Sequence, residues 1–174
     1  MVNGKRNIGH GDQNIWKITR GYEMSYFDYE KAMELAKNRK FYTTINGKSQ
    51  DDIDISEKIL NIKFSKEIKD FYLKYGYLSF EGNEIFGINP TDDSGILEGN
   101  SVAYALNERK QYGMPEEWLP FYNFGEGYLA CQDYLTKNQE GEPRIISVFY
   151  DGEKYMLDDV VADDFGEFVL GLLE

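Results

Sequence analysis

The amino-acid sequence predicts an α+β fold, a mostly antiparallel sheet with N-terminal and C-terminal helices packed on one face. Apolar residues recur at helical spacing in two places. Ile68, Phe71, Tyr72 and Tyr75, and later Phe165, Phe168, Val169 and Leu172, each fall at i, i+3, i+4 and i+7. β-Branched and aromatic runs such as residues 144–150 (RIISVFY) fill much of the later half, separated by glycine-bearing turns. The order is helix-rich, then strand-rich, then a final helix, with no internal repeat. That order segregates the helices from the sheet. A chain of 174 residues fits one domain, and a domain of that size buries roughly 70% of the surface its unfolded chain exposes.

The elements follow in order. Residues 1–14 are polar and glycine-rich and predict a mobile segment. Residues 15–22 (IWKITRGY) read as a short strand or a docking segment. A helix is expected over residues 25–39, opened by Ser25 with Asp28 and burying Tyr29, Ala32, Met33 and Ala36. Residues 41–45 read as extended and 46–52 as a loop. In the next helix Ile55, Ile59 and Ile62 form the expected stripe, with Asp54 and Glu57 as a capping-box start. The helix after it has Ser65 as N-cap, Glu67 in its first turn and Gly76 as its stop. YLSF, EGN and EIFGI then read as a hairpin turning at Gly82.

Residues 91–99 are an acidic loop, and residues 101–112 a helix with Val102, Ala105 and Leu106 inward and Gly113 as stop. Pro115 and Pro120 bound an aromatic run that divides between core and surface. Residues 128–135 form a strand with Leu129 and Cys131 on one face, and 137–143 a turn. Asp151-Gly152 between β-prone runs predicts a type I′ hairpin turn. The last helix starts with Asp164 and Glu167 as caps.

Charge is distributed unevenly. Residues 1–87 hold fourteen Lys and Arg against thirteen Asp and Glu, whereas residues 88–174 hold five against eighteen. The second half therefore carries a net −13. That balance argues against direct nucleic-acid binding, which needs a basic footprint. It serves solubility, or it makes an anionic surface for a basic partner. One cysteine rules out a disulfide framework, and no apolar stretch is long enough to span a membrane or head a signal peptide. A cytoplasmic location is expected.

Catalytic and cofactor signals are weak. His10 is the only histidine and lies between two glycines; Cys131 therefore lacks a histidine base and reads as a small buried apolar group. Gly125-x-Gly127-x-x-Ala130 matches a relaxed dinucleotide fingerprint, but the next segment reads as a strand where a helix N-terminus is required. The Asp92–Gly95 loop lacks the EF-hand ligand pattern. Asp158/Asp159 and Asp163/Asp164 are sequence neighbours, which rarely point the same way. No catalytic residue, cofactor or metal is predicted.

Residues 53–90 (IDISEKILNIKFSKEIKDFYLKYGYLSFEGNEIFGINP) resemble the SUKH superfamily of bacterial toxin-immunity proteins and yeast cell-wall-assembly regulators. NFGEGYLACQDY and VADDFGEFVLGLL resemble later elements of that superfamily, in its order. Two departures are Phe64-Ser65 at the usual Leu-Pro linker and Asp164 where serine is common. The resemblance implies a single domain over residues 25–174, preceded by an extension over 1–24. It implies a non-enzymatic immunity protein that binds and neutralises a cognate toxin domain, often a nuclease. An intracellular scaffold module of the same fold and, further off, a small-ligand binder are the alternatives. Partner-binding candidates are Asp92, Asp93, Glu98, Glu116, Glu117, Trp118, Tyr122, Glu126 and Asp133. Trp118 and Tyr122 are also plausible core residues, and the acids plausible solvated ones.

Overall fold

The computed structural model describes residues 26–174. His10, the 15–22 segment and Ser25 lie outside them. Within them, five helices accompany a seven-stranded sheet. The helices are α1 (26–36), α2 (Gln50–Leu60), α3 (Lys66–Lys74), α4 (Ser101–Tyr112) and α5 (Phe165–Leu173). The strands are β1 (Thr43–Thr44), β2 (Leu78–Phe80), β3 (Asn83–Ile85), β4 (Trp118–Gly125), β5 (Tyr128–Lys137), β6 (Pro143–Tyr150) and β7 (Tyr155–Ala162). Each strand pairs antiparallel with the next, so the spatial order is the chain order. The α+β architecture read from the sequence is the one observed.

Side-chain alternation along β5 and β6 sorts the core into two layers. Ala130 and Ile145 face the main core, where α1, α2, α3 and α5 pack. Leu129, Cys131, Ile146 and Val148 face the other side, where Met114, Tyr104, Trp118 and Tyr155 cover them. The terminal helices share the main core. The Phe165 ring of α5 lies 6.1 Å from Tyr29 of α1, 5.2 Å from Phe71 of α3 and 5.6 Å from Phe121 of β4. α1 buries the expected Tyr29, Ala32, Met33 and Ala36, and α3 the expected Ile68, Phe71 and Tyr72.

α2 departs from expectation. It begins at Gln50, inside the expected loop, because Ser49 and Asp52 form the capping box. Ser49 Oγ accepts the Asp52 N–H at 3.1 Å, and Asp52 accepts the Ser49 N–H at 2.9 Å. The buried face is Ile53, Ser56, Glu57 and Leu60, while Ile55 and Ile59 are each 40% exposed. Glu57 does not cap; it accepts the Phe64 N–H at 3.0 Å and pairs with Lys63. Ser56 Oγ donates to the Asp52 carbonyl at 2.7 Å. Two polar side chains can lie inward because each has an internal partner. Two of the three expected isoleucines therefore face outward, whereas Ile62, just past the C-cap Asn61, is buried as expected.

Two smaller corrections concern α4 and the last hairpin. Leu106 points outward, and the buried face of α4 is Ser101, Val102, Ala105 and Glu108. The β6–β7 connection is a four-residue loop, 151–154, not a type I′ turn: Tyr150 is paired with Tyr155. The Asp151 carboxylate accepts the N–H groups of Glu153 and Lys154, and only Gly152 has positive φ. A side chain that supplies its own turn bonds removes the need for two left-handed residues. The β2–β3 hairpin does turn as expected, with Glu81 and Gly82 both at positive φ.

Candidate functional site

The β4–β5 hairpin closes over Glu126-Gly127, with Gly125 paired to Tyr128 and both turn residues at positive φ (54° and 87°). Both central residues being left-handed defines the tight turn that matches strand twist. The glycine pattern thus serves a strand-to-strand turn, as the sequence reading held against the dinucleotide alternative.

Three clefts meet at this tip. The first, about 380 Å3, lies between α4 and the outer sheet face, and is walled by Tyr104, Tyr112, Tyr150 and Tyr155 around Glu108, with Glu126 at its rim. The second, about 360 Å3, lies where Phe124, Tyr128 and Glu126 approach Asp158, Asp159 and Val161 of β7. The third, about 320 Å3, joins Phe124 and Asn123 to Glu84, Phe86 and Glu98. Among the described residues, no Lys or Arg lines any of the three. The tip is therefore an anionic surface interleaved with aromatic rings.

The first cleft is built by periodicity on α4. Tyr104, Glu108 and Tyr112 repeat every four residues, so they share one helical face. Glu108 is 8% exposed; its carboxylate accepts the Tyr155 hydroxyl at 2.5 Å and the Asn107 amide at 3.0 Å. Tyr150 links α4 to the sheet, with its ring 5.0 Å from Tyr112 and 5.7 Å from Tyr155. Burial, and then the Glu108 carboxylate, push the Tyr155 hydroxyl far above the ordinary phenol range. Tyr104 moves the same way for the same two reasons. At the third cleft, burial and the 2.6 Å bond to Glu84 push Tyr77 up to about 12. These phenols stay protonated at neutral pH and offer ring faces and O–H donors, not nucleophiles.

The nine sequence-predicted residues form no single cluster: they are spread over the 91–99 loop and the length of the β4–β5 hairpin. Glu126 is at the tip, and Glu98 lines the third cleft. Asp92 and Asp93 lie exposed on the same 91–99 loop as Glu98; Asp92 is tied to Ser94 by two 3.0 Å bonds. Tyr122 packs on the main core and donates its hydroxyl to Asn83 at 2.8 Å. At the far end Trp118 is paired with Asp133, seven residues and about 20 Å along the strand from Gly125. Trp118 packs on the second core layer. Asp133 is 5% exposed and accepts from the Leu135 N–H and the Thr136 hydroxyl. Glu116 and Glu117 border a separate cleft that also holds Lys63 and Lys137.

Sequence reasoning missed Tyr104, Glu108, Tyr112, Tyr150 and Tyr155. The four-residue repeat on α4 was a usable signal; Tyr150 and Tyr155 meet it only through strand pairing. Cys131 is fully buried, and burial raises its thiol well above the ordinary value. Among the described residues, no three His, Cys, Asp or Glu side chains are grouped as metal ligands. No helix among them is long and apolar enough to cross a membrane.

A family model, SUKH_5, described as SMI1-KNR4 cell-wall, matches residues 27–174. No curated protein matches the chain.

Proposed function

The chain belongs to the SMI1-KNR4 family of the SUKH superfamily, and from that premise we propose that it is a cytoplasmic immunity protein, bacterial and non-enzymatic, that binds and neutralises a cognate toxin domain. Family membership supports this reading, because the family includes toxin-immunity proteins. The observation that supports the hairpin tip as the contact surface is that three clefts, lined by no Lys or Arg among the described residues, converge there. A nuclease toxin presents a basic substrate groove. An anionic, aromatic surface is steered to such a groove and covers it as nucleic acid would. In this reading Asp92, Asp93, Glu98 and Glu126 make the first contacts. Tyr122 anchors β4 beneath them, and Glu116, Glu117, Trp118 and Asp133 hold the far end of the hairpin.

The family description names the cell wall, which favours a second reading, an intracellular scaffold module of the same fold. Rescue separates the two. Co-expression with its cognate toxin domain should restore growth under the immunity reading. A tagged pull-down at low and moderate salt should capture that same toxin, with capture weakening as salt rises. Several cellular clients without rescue from any toxin would favour the scaffold.

A further inference from the structure

We propose that the cleft between α4 and the outer sheet face is a receptor for one arginine side chain of the protein partner. The inference rests on the partner-binding reading above and names the group that this part of the surface takes.

Three observations converge. First, Glu108 is a nearly buried carboxylate, and no Lys or Arg stands within ion-pair distance of it among the described residues. Tyr155 takes one of its oxygens and Asn107 the other. A carboxylate oxygen accepts two hydrogen bonds, so each oxygen retains one acceptor position. Two parallel N–H groups of a guanidinium match that remaining pair. A nearly buried carboxylate that lines a cleft and lacks a counter-charge among the described residues attracts a cation, because an uncompensated buried charge is costly.

Second, the walls are tyrosine. Tyr104, Tyr112, Tyr150 and Tyr155 line the cleft, and the Tyr112 and Tyr150 rings meet at 57°. A planar cation lies against such ring faces, and burial strengthens the attraction. Arginine fits better than lysine, because its delocalised, weakly hydrated plane both stacks and forks. Third, the volume of about 380 Å3 lies near the lower end of the range of about 300–1,000 Å3 typical of small-molecule sites. It suits one long side chain entering past Glu126, whose carboxylate stands at the rim.

The test uses the full chain, isotope-labelled, titrated with Ac-Gly-Arg-Gly-amide and followed by amide NMR. The expected result is saturable shifts at Tyr104, Glu108, Tyr150 and Tyr155. The citrulline counterpart, isosteric but neutral, should bind about tenfold more weakly or worse. Glu108→Gln, which preserves an acceptor for Tyr155, should erase the preference for arginine while keeping the spectrum dispersed. Tyr150→Leu provides a second variant should Glu108→Gln unfold. Equal binding of arginine and citrulline, equal binding of the lysine peptide, or shifts confined to other residues would overturn the inference. A toxin still captured with unchanged affinity by Glu108→Gln removes the arginine receptor and leaves the immunity reading standing. Arginine-selective shifts in a protein that rescues no toxin do the reverse.

Discussion

The carboxylate of Glu67, in the first turn of α3, accepts the backbone N–H of Gly166, in the first turn of α5, at 2.9 Å across 99 residues of chain. A helix N-terminus leaves N–H groups without intrahelical partners and attracts negative charge. α5 therefore receives part of its cap from another helix, beside that of its own Asp164, which accepts the Glu167 N–H. Glu67 is 1% exposed. Glu67→Ala leaves Gly166 without this acceptor in a dry site and should cost about 2–3 kcal/mol. Glu67→Gln keeps an acceptor oxygen and should cost less than half as much. Urea unfolding of both variants checks the pair; equal losses would show that the acceptor does not matter.

Gly166 is also where α5 meets α1. A Cβ there would stand 2.6 Å from the Tyr29 backbone nitrogen and 2.8 Å from its Cα. Backbone cannot rotate away as a long side chain can, so the helices must separate. Gly166→Ala should destabilise by about 2 kcal/mol or more, despite alanine's better helix propensity. A midpoint at or above wild type in urea would contradict the close approach.

Glu126 occupies a left-handed conformation that asparagine adopts more readily. Glu126→Asn should raise stability by about 1 kcal/mol while weakening toxin association. Thermal melts and stopped-flow association on the same sample test both halves. A gain in stability with unchanged association would take Glu126 out of the contact surface.

Glu142 supplies the pH dependence. Burial is the leading cause that raises its carboxyl above the ordinary value, and among the described residues its buried Oε2 has no hydrogen-bond partner. Between the unfolded and folded values the native state binds the extra proton. The contribution to stability is thus full below the unfolded value, about 4.3, and is lost as pH rises through the folded one. Glu142→Gln should stabilise the protein at pH 7 and change little near pH 3. Melting curves across that range decide it; a uniform offset at all pH values would mean packing, not ionisation.

Asp92 and Asp93 lie exposed on the loop that leads to the third cleft. Reversing both to lysine should slow association with a basic toxin at low salt and leave dissociation nearly unchanged, since rim charges act mainly on encounter. Stopped-flow rates at two ionic strengths would show it. Unchanged on-rates would remove these residues from the proposal.

The architecture was legible because its signals are local and redundant. Tyr29, Ile68, Phe71 and Phe168 declare helical faces by spacing alone, and Glu81-Gly82 and Gly125–Gly127 declare turns. α2 was misread because Ser56 and Glu57 face inward through bonds that no periodicity reveals. The Asp151 turn was misread because one carboxylate replaced the expected backbone conformation. At the site, Glu98 and Glu126 were chosen for charge and stand at the tip. Glu108 escaped notice because a buried carboxylate looks like any other acid in a chain holding 31 of them. Only strand pairing brings Tyr150 and Tyr155 to it.

The position of Phe165 has a consequence for synthesis. Its ring closes against Tyr29, Phe71 and Phe121, partners already made when α5 is still inside the ribosome. The successive strands can pair as they emerge, since each neighbours the one before it. The aromatic centre cannot shut until the first turn of α5 arrives, and Arg39 then reaches the Leu173 carbonyl at its last turn. A nascent chain therefore holds an open, greasy half-core until translation of α5 is complete. A stop codon in place of Phe165, which removes α5, would yield an aggregating fragment rather than a weakened binder.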